Sequence, residues 1–341
     1  MKTKPLVGNQ SGLALVLTLL IISFLVAATI QLMVTINRQV SFSATQREQV
    51  RLDAMILAGV HLARAALLAD QQENDFDSLL DNWAAFDQEM LADLTGDIEL
   101  EITVTDLSGR LQVNALVPQD SPGPSAADQG GRQAGQQYRE IWKRFLTSGR
   151  FAIDNEDQAE ALLDALMDWI DQDDDERPQG AEEGYYRAQT PPYGSRNAPV
   201  LFLQELLLVK GMTPKILYGD DEHEGIAEYI TVAGDDGRIN LNTAPLPVIL
   251  AVFPDVSVEM AQELMQFRED PRHRELLGTM DWYRQIDGFA GTGPDDLLWT
   301  VTGQYFGITV QARLDQYRRT GKGVLLRAEN REQTMLHWQV H

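Results

Sequence analysis

The sequence predicts an α+β protein in which a long N-terminal helix packs on an antiparallel sheet, and a large all-helical domain interrupts that sheet. An apolar stretch near the N-terminus continues into an amphipathic helical pattern. Residues alternate between apolar and polar near position 100 and again after position 305, with helical patterns between. Because two or three isolated strands are only marginally stable, we expect both groups of strands to form one sheet.

The first element is a membrane-spanning helix. No charged side chain lies between Lys4 and Arg38, and the apolar run from Leu13 is long enough to cross a bilayer. Lysines precede the run, so its N-terminus is predicted to stay cytoplasmic and the bulk of the chain to be periplasmic. The run is too long for a secretory signal peptide, and no small-residue cleavage site follows it. Gly12 instead precedes it, as in type IV prepilin leaders, which are cut after the glycine; an uncleaved anchor is the alternative.

The next elements continue this helix and begin the sheet. Residues 37–69 contain no proline, and their apolar side chains recur at helical spacing. Residues 75–93 form a weaker helical pattern. Apolar and polar residues alternate from Ile98 to Val104, which predicts a half-buried strand. Residues 106–109 then predict a turn, after which residues 110–113 are expected to pair back as a hairpin.

The sequence predicts an exposed linker at 118–135, and after it a series of helices separated by loops. A long irregular segment covers residues 171–197. The predicted helices are 138–146, 155–170, 200–209, 244–252, 257–268 and 277–286. The predicted final strands are 305–314, 323–328 and 335–340, with residues 318–321 as a connection.

Composition limits the function. The net charge of −23 disfavours nucleic acid, which attracts surfaces rich in lysine and arginine. The chain has no cysteine, so it has neither disulfides nor thiolate sites. Its five histidines form no zinc-type pair, and no nucleophile elbow or phosphate loop is present.

The strongest local signal is an acidic segment that follows the helix at 155–170. Asp171, Asp173 and Asp175 alternate along it, and Glu182 and Glu183 follow. Alternate carboxylates on a loop can converge on a hard cation, so the segment predicts a calcium site. It is not an EF-hand, because Glu176 stands where that loop needs glycine. The alternative is a solvated acidic loop.

A segment at 237–252 is similar to the opening of helix-hairpin-helix modules. Its hairpin at 253–257 has no glycine and carries an extra negative charge, so we expect a structural role. Asn242 or Thr243 is predicted to cap the helix, with Pro245 in its first turn.

These motifs together resemble the K-type minor pseudopilin of the bacterial type II secretion system, over nearly the whole length. Gly12 followed by Leu13-Ala-Leu-Val-Leu17 is similar to the family's leader junction. The further matching motifs, in the family's order, are Asp106-Leu-Ser-Gly-Arg-Leu-Gln-Val-Asn-Ala-Leu116, Asp168-Trp-Ile-Asp171, Gly180-Ala-Glu182-Glu183, Tyr185-Tyr186, Thr190-Pro-Pro-Tyr193, Asn197, Glu205-Leu-Leu-Leu-Val and Ile239-Asn-Leu-Asn-Thr-Ala-Pro245. The loop between Asp175 and Gly180 is shorter than the family's.

The resemblance implies a pilin-like fold interrupted by a helical insertion that holds calcium. The implied organisation is a leader (1–12), a membrane helix (13–36), a first pilin part (37–116), an insertion (117–292, with subdomains near 136–232 and 233–292) and C-terminal strands (293–341). It also implies a non-enzymatic role at the pseudopilus tip, where the protein starts assembly and supports export across the outer membrane. The implied partners are the I and J minor pseudopilins, the prepilin peptidase and the inner membrane.

The resemblance gives Leu17 a role in assembly. Pilins usually carry glutamate at the fifth mature position, where it compensates the terminal amine of a neighbouring subunit; the K subunit carries an apolar residue there, and Leu17 fits. Two other functions remain open. One is a membrane-anchored, calcium-dependent periplasmic hydrolase, and the other is a DNA-uptake factor, which the net charge disfavours.

Overall fold

The computed structural model describes residues 10–117, 127–289, 298–328 and 330–341. Its α-helices are α1 Gln10–Glu73, α2 Gln88–Thr95, α3 Ala127–Leu146, α4 Glu156–Ile170, α5 Glu183–Arg187, α6 Pro214–Tyr218, α7 Leu246–Val252 and α8 Val258–Glu269. Its strands are β1 Glu99–Asp106, β2 Leu111–Gln112, β3 Ile230–Thr231, β4 Ile239–Asn240, β5 Trp299–Thr300, β6 Tyr305–Leu314, β7 Tyr317–Arg327 and β8 Gln333–Val340. Short 3₁₀ helices occupy Leu107–Gly109, Val113–Leu116, Leu203–Leu208, Ile226–Glu228, Pro271–Gly278 and Trp282–Gln285.

Helix α1 is the long helix that the sequence predicts. Its first part, Gly12–Gln39, has a mean hydropathy of 2.8 and is not buried against the rest of the chain. Its second part is amphipathic and buries one face, which includes Leu52, Ile56 and Leu67, against the sheet. Gly59 lies where helix and sheet approach most closely: a Cβ there would be 2.5 Å from a methyl group of Val310 on β6.

The main sheet confirms the split arrangement. It is antiparallel, with the strand order β1-β6-β7-β8, so the strand before the insertion pairs with the first long strand after it. Ile102 lies opposite Val310 in this pairing. The predicted inner face is buried at Leu100, Ile102 and Val104 of β1 and at Ile98 just before it, and it forms one core with α1.

The predicted hairpin after β1 is wrong. Strand β2 pairs in parallel with β3, inside the insertion, and β6 takes the antiparallel place beside β1. The turn at 106–109 directs the chain away from the sheet because Asp106 is held by insertion residues: its Oδ2 accepts from Asn240 and Thr243 at 2.7 Å each. The side chains of Leu111, Val113, Ala115 and Leu116 consequently pack in the core of the insertion.

The predicted connection at 318–321 is also wrong, because these residues belong to β7. The turn between β6 and β7 is the two residues after Leu314, which is paired with Tyr317. Asp315 supplies the positive φ of 51° that this turn requires, a conformation that aspartate tolerates better than most residues.

The insertion is mainly helical, and the pair α7 and α8 confirms the prediction for that segment. It is not all-helical, since two parallel two-residue pairings, β2–β3 and β4–β5, join its parts to the adjoining chain. Part of the predicted linker is helical, because α3 begins at Ala127; residues 118–126 of that linker lie outside the described residues. The insertion's predicted C-terminal boundary at 292 also lies outside them.

Several predicted helices differ in type or position. The segments predicted at 200–209 and 277–286 form 3₁₀ turns. In the weak segment at 75–93, only the part from residue 88 onward is α-helical, as the start of α2. Neither Asn242 nor Thr243 caps α7: the amide of Asn242 donates to the Leu277 carbonyl at 3.1 Å, and Thr243 donates to Asp106. Both side chains are used in tertiary contacts, which a local capping pattern does not reveal.

Candidate cation site and exposed helix

The acidic loop is built around Asp168, a fully buried residue in the last turn of α4. Its Oδ2 accepts from the backbone N–H of Ala181 at 2.8 Å and of Arg177 at 3.2 Å, and its Oδ1 lies 2.5 Å from the Arg177 guanidinium. Position 180 must be glycine, because a Cβ on Gly180 would overlap Asp168 Oδ2. Asp168 therefore fixes the path of the loop.

Asp171 and Glu182 are both buried in the acidic loop, and the charge of Asp171 acts on Glu182. Asp171 Oδ2 lies 2.5 Å from the Arg177 guanidinium, but its buried Oδ1 has no hydrogen-bond partner. Both carboxylate oxygens of Glu182 are also buried without a partner. Buried polar atoms are nearly always hydrogen-bonded, so these three oxygens make Asp171 and Glu182 candidate ligands for a cation.

The electrostatics of Glu182 support this reading. Burial, followed by the nearby negative charges of Asp168, Asp171, Asp174 and Asp173, raises the pKa of Glu182 to about 7. Arg177 already neutralises part of the charge of Asp168 and Asp171. A cation beside Glu182 would offset the remaining charge and favour the ionised carboxylate.

Asn197 binds the acidic loop from a later segment of the chain. Its amide Nδ2 donates to the Asp173 carbonyl at 3.1 Å and to Asp174 Oδ1 at 3.0 Å, while its Oδ1 is buried without a partner. The residue has a φ of 46°, a left-handed conformation that asparagine adopts more readily than most side chains. It ties the segment after the cis Thr190–Pro191 peptide to the acidic loop.

The structure brings together only some of the predicted ligands. Asp173 and Asp175 are exposed, and Asp173 Oδ1 accepts from the Asp175 N–H at 3.0 Å. Glu183 points elsewhere: it pairs with Arg187 at 2.5 Å and accepts from the Ser195 N–H at 2.9 Å. Within the described residues, no group of three or more acidic or histidine side chains is already arranged around a metal position.

The exposed helix carries the other candidate positions. Leu13 and Leu17 are 76% and 60% exposed, and Gly12 has open space around it. The hydroxyls of Thr18, Thr29 and Thr35 donate to carbonyls of the preceding turn at 2.8–2.9 Å. Because these polar groups are satisfied within the helix, the surface suits a hydrocarbon environment.

Comparison with known proteins gives consistent matches. Family models described as type II secretion system protein K match residues 109–218 and 239–292. Type II secretion system protein K of Pseudomonas aeruginosa is 24% identical over 329 residues, covering 94% of this chain and 90% of that protein. The protein K of Aeromonas hydrophila is 25% identical, covering 97% of each chain. That of Klebsiella pneumoniae is 27% identical, covering 76% of each.

A solved structure shares the fold. It is the crystal structure of the GspK-GspI-GspJ complex from the type 2 secretion system of enterotoxigenic Escherichia coli, and one of its chains superimposes with a TM-score of 0.62 at 16% identity. The match covers 88% of this chain and 99% of that chain.

Proposed function

Because the chain belongs to the protein K family of the type II secretion system, we propose that it is a minor pseudopilin at the tip of the pseudopilus, bound to the I and J minor pseudopilins. There it starts pseudopilus assembly and supports protein export across the outer membrane. The observation that carries this proposal is the joining of an exposed, apolar helix at Gly12–Gln39 to a helix-on-sheet domain that is interrupted by a bulky insertion.

The N-terminal helix anchors the protein in the inner membrane in this proposal. Prepilin peptidase cuts between Gly12 and Leu13, which makes Leu17 the fifth mature residue. An apolar side chain there offers no carboxylate to the terminal amine of a neighbouring subunit, so no subunit is expected to stack above this one. The insertion obstructs the same position, and both features suit the end of a filament.

Calcium is the cation that we propose for the acidic loop. Hard cations of its size take six to eight oxygen ligands, and the loop offers unpartnered oxygens of Asp171, Glu182 and Asn197. Bound calcium supplies positive charge that offsets the buried carboxylates. Asp171 and Glu182 would hold it from the two ends of the loop, and Asn197 from the segment that covers the loop. The exposed Asp173 lies close enough to Glu182 to affect its ionisation.

A calcium-dependent hydrolase is less well supported. That function requires polar groups that converge in a deep cavity at the acidic loop. A cavity of about 610 Å³ in the described part of the chain is lined instead by residues of β1, β6, β7 and α2, among them Glu101 and Arg313. The proposed role is accordingly structural.

The proposal is tested by association. The full-length chain is purified in detergent with full-length I and J pseudopilins from the same source, and the mass of the protein component is measured by light scattering with calcium and with a chelator. A complex of one copy of each supports the proposal, and its loss on chelation assigns calcium a part in it. Failure of the three proteins to associate in either condition contradicts the tip role.

A further inference from the structure

A second buried polar cluster lies where the sheet meets the insertion. The Asp77 N–H donates to the Val301 carbonyl at 2.8 Å, and the Asp77 carbonyl accepts from Asn240 Nδ2 at 3.2 Å. The same amide donates to Asp106 at the end of β1. Asn240 belongs to β4 of the insertion, so these contacts fix the insertion against the pilin part.

Negative charge exceeds positive charge in this cluster. Four carboxylates are buried: Asp70, Asp77, Asp81 and Asp106. Among the described residues, two guanidinium groups form ion pairs with them. Arg327 of β7 pairs with Asp77 and lies 3.3 Å from Asp70, and Arg274 of the insertion lies 2.8 Å from Asp81.

The other charged groups described at the junction do not cancel the excess. The charge of Arg110 acts on Asp106, but Arg110 interacts more strongly with Glu228, which adds a further negative charge. Asp106 accepts from the neutral groups of Ser108, Asn240 and Thr243. The half-exposed Glu73 adds a further negative charge 3.6 Å from Arg274.

Asp77 has one oxygen without a donor. Its Oδ2 accepts from Arg327 and from the Gly303 N–H, but its buried Oδ1 has no hydrogen-bond partner. The carboxyl groups of Asp70 and Asp77 are brought together by one guanidinium group: Arg327 lies 3.3 Å from Asp70 Oδ2 and also pairs with Asp77 Oδ2. Two ionised carboxylates this close and this buried repel each other strongly, whereas one proton between them supplies the missing donor and removes one charge.

We infer that Asp70 and Asp77 share one proton in the folded protein, and that this proton holds the insertion against the sheet. Both carboxyl groups belong to the first pilin part, Asp70 on α1 and Asp77 on the segment that follows it. The backbone carbonyl of Asp77 accepts from Asn240 of the insertion, so the shared proton acts on the insertion by fixing Asp77 on α1. Its loss leaves Asp77 Oδ1 without a donor and adds a negative charge to the junction. The inference does not depend on the proposed role in secretion.

The direction of the pH dependence follows from the environment of the pair. Burial, followed by the charges of Asp81 and Asp77, raises the pKa of Asp70 to about 7, and burial raises that of Asp106 to about 6. A carboxyl group whose pKa is higher in the folded state than in the unfolded state stabilises the fold fully below its unfolded value near 4. That stabilisation is lost as the pH rises through about 7. The junction is therefore expected to weaken between weakly acidic and weakly alkaline pH.

Infrared spectroscopy of the full-length protein in detergent tests the shared proton. Calcium is kept saturating, so that Glu182 is ionised throughout. The carbonyl band of a protonated carboxylic acid is expected to disappear as the pH rises through about 7. Asp70→Asn should remove this band, because asparagine donates permanently to Asp77. Asp53→Asn, on the same helix but half-exposed and paired with Arg319, is the matched control and should retain it.

Thermal unfolding provides the second readout. The wild-type midpoint should fall by about 5 °C more than that of Asp70→Asn between pH 6 and pH 8.5. Asp77→Asn should also abolish the band, which keeps the test valid if one variant folds poorly. No titrating band in the wild type, or an unchanged band in Asp70→Asn, overturns the inference. If a cation lies between the two ionised carboxylates instead of a proton, the wild type shows no titrating band, and the inference is overturned.

Discussion

Replacing Glu182 with glutamine is expected to uncouple the acidic loop from calcium. Without the cation, the ionised carboxylate is buried among other carboxylates, and its pKa rises from 4.5 to about 7. This difference corresponds to at most about 3 kcal/mol of folding free energy at pH 8. Because the folded-state pKa is raised, the cost is absent below about pH 4.5 and complete above about pH 7. Glu182→Gln removes the charge, so in chelator at pH 8 it should unfold a few degrees above the wild type.

Calcium should reverse this order. The wild-type carboxylate gains a partner, whereas the neutral amide does not, so saturating calcium should raise the unfolding midpoint of the wild type and leave that of the variant nearly unchanged. The calcium effect on the wild type should also grow as the pH rises through about 7, since the ligand must lose its proton.

Differential scanning fluorimetry of the full-length protein measures both effects. Glu183→Gln is the matched control: it removes the same charge from the adjacent residue, whose carboxylate pairs with Arg187 outside the site. It should keep the calcium response. An equal calcium response in Glu182→Gln and the wild type would refute the reasoning, as would loss of the response in Glu183→Gln alone.

Three further predictions concern close packing and assembly. Gly180→Ala should lower the unfolding midpoint and weaken calcium binding, because its Cβ overlaps Asp168; Gly184→Ala, with open space around it, should do neither in the same scan. Gly59→Ala should destabilise the chain by about 1–3 kcal/mol in denaturant titrations, because its Cβ presses on a valine of β6; a neutral result would contradict the described packing. Leu17→Glu should not create filaments of this chain alone in electron micrographs, because the insertion still obstructs stacking.

The fold was predictable where the pattern is local or repeated. The apolar run, the amphipathic half of α1 and the alternation in β1 each determine an element by periodicity, and the prediction that β1 shares a sheet with the last strands is confirmed. The hairpin after β1 was not predictable in this way. Its failure depends on Asn240 and Thr243, more than 130 residues later, which bind Asp106 and redirect the chain.

The candidate site was predictable as a segment but not as a set of ligands. The density of carboxylates made the loop a candidate, and Asp171 and Glu182 are both buried in it; cation binding there stays a prediction. The sequence offered no means to distinguish Glu182, which is buried without a partner, from Glu183, which is paired with Arg187. Asn197 was also missed as a candidate ligand, because its approach to the loop depends on tertiary packing; an asparagine in a segment rich in proline and glycine was the available signal.

The position of the protein on assembled pseudopili tests the central claim most directly. Pseudopili are isolated from cells that overproduce the system, and the full-length protein, tagged at its C-terminus, is located by gold labelling in electron micrographs. The tip proposal predicts label at one end of each filament and none along its length. Label repeated along the filament would show that further subunits stack on this one, and would contradict the proposal.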